Sequence, residues 1–229
     1  MAVYATKFQG AESVARYQRK LGNRIDRLRH EIERDFLARH AAGDLFDCTI
    51  GVGRFIGILP KIRSYSGLDL SQEFVEYIRQ NHQDVRAYVG DLMQAIDEPD
   101  DRFDCVICLR SLSAMGSTDT IVREMVRITR PGGLIILDYG RKPSRATLNG
   151  QDVVIDGEDI DAILATAGVD VIDRCRCDAL LTRLKRRTRV FRFFDKGLGS
   201  YIPAPVLLAL EWLTAGILWE RQILVARKP

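Results

Sequence analysis

Residues 45–57 read LFDCTIGVGRFIG, and this stretch decides the fold. An apolar run, Leu45 to Ile50, carries Asp47 and breaks into Gly51-Val52-Gly53, after which apolar residues return at helical spacing. The pattern predicts a strand, a glycine turn and the start of a helix. Because glycine lets backbone N–H groups approach a ligand and a helix N-terminus is electropositive, we expect a nucleotide-like cofactor over this loop.

The same glycines leave two alternatives open. Glycine turns between a strand and a helix are common in α/β proteins, so the loop has an ordinary structural interpretation. The dinucleotide fingerprint G-x-G-x-x-G is a second alternative, but here the third glycine comes one place late, at Gly57. An NAD(P)-dependent oxidoreductase is therefore a weaker hypothesis than a different adenosyl cofactor.

Composition indicates one globular domain without a nucleic-acid partner. The chain has 229 residues, of which 46% are hydrophobic and 28% charged, and its net charge is only +3. Met1 to Gly10 contains no apolar core of signal length, so we expect a cytoplasmic protein. Five cysteines are expected to be buried free thiols, with Cys105 and Cys108 on opposite faces of one strand and no metal site.

Two further acidic residues end predicted strands. Asp69 closes the run 65–70 and lies 69 − 47 = 22 residues after Asp47, about the interval expected of a carboxylate that accepts the hydroxyls of a ribose. Asp91 follows Gly90 at the end of the run 85–92, where it can accept from an exocyclic amine or cap a short helix. In an open α/β sheet these carboxyl ends meet at the ligand-binding edge.

The rest of the chain continues this alternation of strands and helices. The patterns predict helices at 71–78, 121–128 and 159–167, and strands at 103–109, 134–137, 169–175 and 220–226. Residues 1–42 form one or two amphipathic helices, which serve either as packing or as a lid that brings Tyr17 or Tyr4 to the cofactor. The prediction is a doubly wound, mostly parallel, Rossmann-like sheet of seven strands.

Taken together, these motifs resemble the class I, seven-stranded S-adenosylmethionine-dependent methyltransferases. The resemblance is clear from Asp44 to Ala167 and rests on the order of DCTIGVGRF, GLDLS, GDL, FDCVIC and RPGGLIIL. Thr49 stands where the family usually has the first loop glycine, and a β-branched residue there restricts the backbone that holds the methionine carboxylate.

The resemblance implies a role for each predicted site residue. Asp47, Gly51 and Gly53 would lie against the methionyl group of S-adenosylmethionine, and Asp69 would bind its ribose. Asp91 and Leu92 would contact the adenine, and Leu109 with Arg110 or Ser111 the sulfonium side. Positions that complete the predicted cofactor site are Tyr17, Cys48, Thr49, Leu70 and Gly90. Asp138 and Tyr139, after the fifth strand, are the candidates for a catalytic base.

The predicted domain divides into an N-terminal lid at 1–42, a cofactor-binding core at 43–176, an insert at 177–219 and a last strand at 220–229. The first half of the insert is basic with interleaved aromatics, and the second half is almost wholly apolar. It is interpreted as a packing cap, a lid over an apolar acceptor pocket, or a peripheral membrane contact through 183–219.

The predicted function is methyl transfer to a small-molecule or lipid-like acceptor. The alternatives are the oxidoreductase and a non-catalytic module that binds an adenosyl ligand or a membrane.

Overall fold

The computed structural model describes residues 10, 12–112, 115, 117–140, 144–148, 151–155, 157–181 and 198–229. Its strands are β1 Gly43–Asp47, β2 Ile62–Asp69, β3 Arg86–Val89, β4 Phe103–Cys108, β5 Thr129–Gly140, β6 Ser144–Leu148, β7 Gln151–Ile155, β8 Asp170–Cys177 and β9 Arg221–Arg227. Its α-helices are α1 Ser13–Leu21, α2 Arg24–His40, α3 Gln72–Asn81, α4 Thr118–Ile128, α5 Gly157–Thr166 and α6 Ala204–Leu218, and a 3₁₀-helix covers Leu198–Tyr201.

Seven strands form one sheet in the order β3-β2-β1-β4-β5-β9-β8. The first five pair in parallel, and β9 is antiparallel to both of its neighbours. The predicted mostly parallel, seven-stranded sheet is confirmed. Because β9 runs in the opposite direction, its first residue, Arg221, lies at the same edge as the carboxyl ends of the other strands.

The sheet is covered on both faces, as the apolar character of its central strands requires. On one face Phe36 and Leu37 of α2 pack with Val75 and Ile78 of α3. On the other face α4 and α5 pack through apolar residues at helical spacing, including Ile121 and Met125.

The two cysteines of β4 belong to different cores. Cys105 packs on the face of α2 and α3, and Cys108 on the face of α4 and α5. This confirms the prediction that they point to opposite sides. Both thiols are free and buried.

The predicted helix after the glycine loop is wrong. Residues 51–58 form consecutive turns held by bonds between positions three apart, such as Gly53 N to the Ile50 carbonyl at 2.8 Å. Gly51, Gly53 and Gly57 all have positive φ, which interrupts an α-helix each time it would begin. This loop therefore presents no α-helix N-terminus.

Two other parts differ from the prediction or lie outside it. A two-stranded sheet, β6 and β7, follows β5 and was not predicted. Tyr4 and the basic half of the insert, 182–197, lie outside the described residues. Among the described helices, none has the length and apolar character to cross a membrane.

Candidate active site

The carboxyl ends of β1 and β2 bring Asp47 and Asp69 to one edge of the sheet. Asp47 is buried; its Oδ1 accepts from the backbone N–H of Thr49 at 3.0 Å, and its Oδ2 accepts from the Tyr65 hydroxyl at 2.8 Å. Burial raises the pKa of Asp47, and these two donors oppose the rise. Asp47 therefore fixes the start of the glycine turn.

Asp69 holds the other side of that turn. Its Oδ2 accepts from Gly51 N at 2.9 Å and its Oδ1 from Ser71 N at 3.0 Å. Burial, together with the negative charge of Asp47, raises the pKa of Asp69 to about 6. Each oxygen keeps a free lone pair after one N–H bond, so the carboxylate can still accept a pair of ligand hydroxyls.

The two loop glycines meet different surroundings. A Cβ on Gly53 would lie 2.4 Å from the Ile56 Cδ1 atom, so a side chain here would displace Ile56 and would also be strained by the positive φ of 69°. A Cβ on Gly51 would come no closer than 3.9 Å to another group, the Thr49 carbonyl. Gly51 therefore has open space beside it, where a ligand can approach the backbone.

The third strand adds Asp91, which is exposed just beyond β3. Its Oδ1 accepts from Met93 N at 2.9 Å, so it caps the turn that follows and keeps its second oxygen for another partner. Gly90 N donates to the Asp69 carbonyl at 3.1 Å and joins the second and third strand ends. Leu70 is exposed, whereas Leu92 is buried in the core. Of these two leucine side chains, Leu70 is the one open to a ligand.

A hydroxyl pair connects the ends of β1 and β4. Ser111 Oγ donates to Thr49 Oγ1 at 2.9 Å. Leu109 is buried among core residues, and so is Cys48, whose N–H donates to the Ile107 carbonyl. Cys48 was predicted to contact the cofactor, but its side chain and N–H are both engaged elsewhere.

Next to this region lies a buried cluster of charges that the sequence did not predict. Glu33 of α2 is at its centre: Arg54, Arg110 and Arg221 approach its carboxylate at 2.6, 2.7 and 2.6 Å. The members, four arginines and four carboxylates, are Asp26, Arg29, Glu33, Arg54, Arg110, Asp138, Asp178 and Arg221. Their formal charges cancel.

Burial alone would raise the pKa of Glu33, but the three guanidinium groups hold it well below its usual range. His30, one turn earlier on α2, is affected in the opposite sense. Burial, then the nearby charge of Arg54, lowers the pKa of His30 to about 4, so the imidazole is neutral at physiological pH. The cluster is a fixed arrangement of ion pairs beside a neutral histidine.

The two predicted catalytic residues point to opposite faces of β5. Asp138 is buried in the charge cluster, where it accepts from Arg110 N at 2.7 Å and pairs with Arg221. Tyr139 packs in the core of α4 and α5, and its hydroxyl donates to Gln222 Oε1 at 2.6 Å. The two cannot serve one acceptor together, and the bonds of Asp138 suit a residue that positions Arg110.

Tyr17 lies on α1. This helix packs against α3, the helix that follows Asp69 in the chain. The Tyr17 ring meets that of Phe74 edge-on at 5.6 Å, and Gln18 Nε2 donates to the Tyr77 hydroxyl at 2.9 Å. The N-terminal segment thus packs against α3, the helix that follows the ligand-edge residue Asp69.

Two signals could have revealed the charge cluster. Asp26, Arg29 and Glu33 recur at positions i, i+3 and i+7 of an otherwise amphipathic helix, so they share one face with apolar neighbours. Arg54 directly follows Gly53, and Arg110 follows β4 with a positive φ. The pairing of Arg221 with both Glu33 and Asp138 depends on long-range topology and has no local signal.

Comparisons with known proteins agree with this geometry. Residues 46–137 match the family model described as a methyltransferase domain. The search of curated proteins found no match.

Three solved structures illustrate the shared fold. A putative methyltransferase in complex with the Haloferax volcanii Trm112 activator superposes with a TM-score of 0.64 at 17% identity, covering 100% of this chain and 99% of that one. Phosphoethanolamine N-methyltransferase 2 of Haemonchus contortus, bound to S-adenosyl-L-methionine, has the same score and identity over 100% and 60%. A geranyl diphosphate methyltransferase in complex with GPP and sinefungin gives 0.60 at 13% identity over 87% and 78%.

The family match begins at Phe46 in β1 and ends at Leu137 in β5, so it covers the glycine turn together with Asp47, Asp69 and Asp91 at the ligand edge. The solved structures share the sheet in which these strands lie. The chain thus has the fold of these methyltransferase structures, and its residues 46–137 match the methyltransferase domain.

Proposed function

We propose that this enzyme transfers the methyl group of S-adenosylmethionine to a small-molecule or lipid-like acceptor by in-line displacement. The observation that carries the proposal is the glycine turn bound between Asp47 and Asp69, with open space beside Gly51. This arrangement offers backbone amides for a carboxylate and carboxylates for hydroxyls, which are the complementary groups of an adenosyl amino acid.

The residues have distinct proposed roles. Asp69 accepts the ribose hydroxyls and Asp91 the adenine amine, with Gly90 and Leu70 beside them. Thr49, Gly51 and Gly53 hold the methionyl carboxylate, and Leu109, Arg110 and Ser111 line the sulfonium side. S-adenosylmethionine supplies an activated methyl group, so alignment is the main task left to the protein.

The turns at 51–58 bear on the choice of cofactor. A dinucleotide pyrophosphate is normally held at a helix N-terminus, and here the loop provides none. S-adenosylmethionine carries no phosphate, so it does not need a helix N-terminus at this loop. The structure of this loop therefore favours S-adenosylmethionine over NAD(P) as the cofactor.

The acceptor is proposed on two grounds. Neighbours in the fold are named for small acceptors, a phosphoethanolamine and a geranyl diphosphate. In addition, α6 presents an apolar surface, which supports a lipid-like acceptor and peripheral membrane contact through 183–219. A cytoplasmic location and a lid role for 1–42 with Tyr17 belong to the same proposal.

A thermal-shift assay tests the cofactor. S-adenosylhomocysteine at a hundredfold excess over its Kd should raise Tm by about 5–10 °C, and NAD(P) should not. Asp69→Ala should remove most of this shift. Incubation with methyl-labelled cofactor and cell extract then tests transfer: a labelled product supports it, whereas tight binding without any product favours a non-catalytic adenosyl-binding module.

A further inference from the structure

The outer face of α6 is apolar and exposed. Trp212 is 77% exposed, Leu213 65% and Ile217 78%. Val206, Leu210 and Leu218 are also exposed on this helix. A contiguous apolar patch of this kind on a soluble domain marks an interaction surface.

The rotation of α6 is fixed by its only charged residue. Glu211 is 2% exposed, and its carboxylate accepts the N–H groups of Ala179, Leu180 and Leu181 at 2.7, 2.8 and 2.9 Å. Leu207 and Ala215, one turn away on either side, are buried with it. The charged side of the helix thus faces the protein, and the apolar side is held outward by three hydrogen bonds.

The sequence just before α6 is strongly basic. Residues 182–197 contain seven Lys or Arg and one Asp, a net charge of 7 − 1 = +6, so the remaining chain carries +3 − 6 = −3. The segment begins after Leu181, which packs against Leu207 of α6. It ends before Gly199, whose carbonyl accepts from Arg24 at 2.8 Å. In the sequence, the basic residues therefore lie between Leu181, which packs against α6, and the 3₁₀-helix that precedes α6.

We propose that the outer face of α6 docks on the surface of an anionic lipid bilayer. Its fifteen residues measure about 22 Å, less than the ~30 Å of a hydrocarbon core, so the helix lies in the interface and does not cross. The apolar side chains enter the acyl boundary, and the positive charge of residues 182–197 attracts anionic headgroups. A protein partner would need no such concentration of positive charge. The docking rests on the peripheral membrane contact of the proposed function and specifies its surface and lipid charge, but it requires neither cofactor nor acceptor, so methyl transfer and docking can fail independently.

The test uses the full chain carrying Trp219→Phe, which leaves Trp212 as its single tryptophan. The protein is mixed with vesicles of phosphatidylcholine alone, or of phosphatidylcholine with phosphatidylglycerol. We expect it to sediment with the mixed vesicles, with a blue shift of Trp212 emission that high salt reduces. Leu213→Ser with Ile217→Ser should weaken binding at least about tenfold, and Arg186→Gln with Arg187→Gln about 10- to 30-fold.

The matched control is Ile172→Ser, an apolar residue of β8 that is also exposed. It should bind vesicles normally, and all variants should keep the thermal shift with S-adenosylhomocysteine, which separates this proposal from the cofactor proposal. Failure to sediment, or equal binding to both kinds of vesicle, would overturn the docking. A concentration-dependent dimer that Leu213→Ser and Ile217→Ser abolish, with no vesicle binding, would assign the face to a second copy of the chain instead.

Discussion

Ser111 donates from its hydroxyl to the hydroxyl of Thr49 at 2.9 Å, which ties the loop after β4 to the loop after β1. Thr49 occupies the position where the family pattern has a glycine. Its side chain therefore links two parts of the proposed cofactor site that a glycine would leave unconnected. The backbone N–H of Thr49, which a glycine would also have, donates to Asp47, so the Oγ1 bond to Ser111 is what the threonine adds.

Thr49→Val should weaken binding of S-adenosylhomocysteine. Valine has nearly the same shape but lacks the hydroxyl, so a hydrogen bond of about 0.5–1.5 kcal/mol no longer holds the two loops together before binding; ordering them on binding should raise Kd by up to about tenfold. Isothermal titration calorimetry measures this directly. Ser111→Ala should have a similar effect, and the double variant should cost little more than either change alone. Fully additive losses would show that the two hydroxyls act separately.

Cofactor binding should depend on pH through Asp69. Its pKa of about 6 in the free protein means that lowering the pH from 7 to 5 protonates it. Ribose hydroxyls donate to the ionised form and lower its pKa in the complex, so affinity is highest above pH 6 and falls about tenfold per unit well below it. Titration calorimetry between pH 5 and pH 8 measures the dependence.

The matched variants for that measurement are Asp69→Asn and Asp84→Asn. The first removes the titrating group from the site, so its weaker binding should be nearly independent of pH. The second neutralises an exposed carboxylate before β3 and should leave the profile unchanged. A steep acid limb that survives in Asp69→Asn would assign the dependence to another group, of which the nearest is Asp47.

The sequence predicts the sheet well because its signals are local. The first three strands are short runs that end in or just before a carboxylate, Asp47, Asp69 or Asp91, and the order of these runs specifies the parallel edge. Asp47 and Asp69 were placed correctly at strand ends for this reason. The helix after Gly53 failed because apolar spacing alone does not account for three glycines at positive φ within seven residues.

The site itself is less predictable. Asp138 was predicted to follow the fifth strand, but it lies within β5, and its partners, Arg110 and Arg221, come from a loop and from the antiparallel strand β9. Only the three-dimensional topology brings them together, and it converts a candidate base into a member of an ion-pair network. The burial of Cys48, just after β1, likewise depends on which face of the sheet each core covers.

Glu33→Gln should strongly destabilise the protein. The substitution leaves Arg54, Arg110 and Arg221 in a buried site that has lost its central negative charge, and breaking such a pair typically costs about 3–5 kcal/mol. Urea or thermal unfolding measures the loss. The pKa of Glu33 is held below its usual range in the folded protein, so the ion pairs stabilise the fold at neutral pH. This stabilisation is lost only in acid, as the pH falls below the ordinary pKa of a glutamate and through the pKa of Glu33 in the folded state.

The control for Glu33 lies on the same helix. Asp35 pairs with Arg34 at an exposed position, so Asp35→Asn should change stability by less than about 1 kcal/mol. Equal effects of the two substitutions would mean that the buried cluster contributes no more than a surface ion pair.

Asp138→Asn distinguishes a positioning residue from a general base. Asparagine keeps an oxygen for Arg110 N but loses the charge that faces Arg221, so we expect a lower Tm and weaker S-adenosylhomocysteine binding. Once the cofactor is saturating, turnover per folded molecule should fall by less than about tenfold, whereas loss of a general base costs about 10²–10⁴-fold. Labelled methyl transfer measures the turnover. The companion variant is Tyr139→Phe, because Tyr139 faces the opposite core. Loss of its hydrogen bond to Gln222 should lower the stability of this variant by about 1 kcal/mol. An Asp138→Asn protein with unchanged Tm and a large loss of turnover would identify Asp138 as the base.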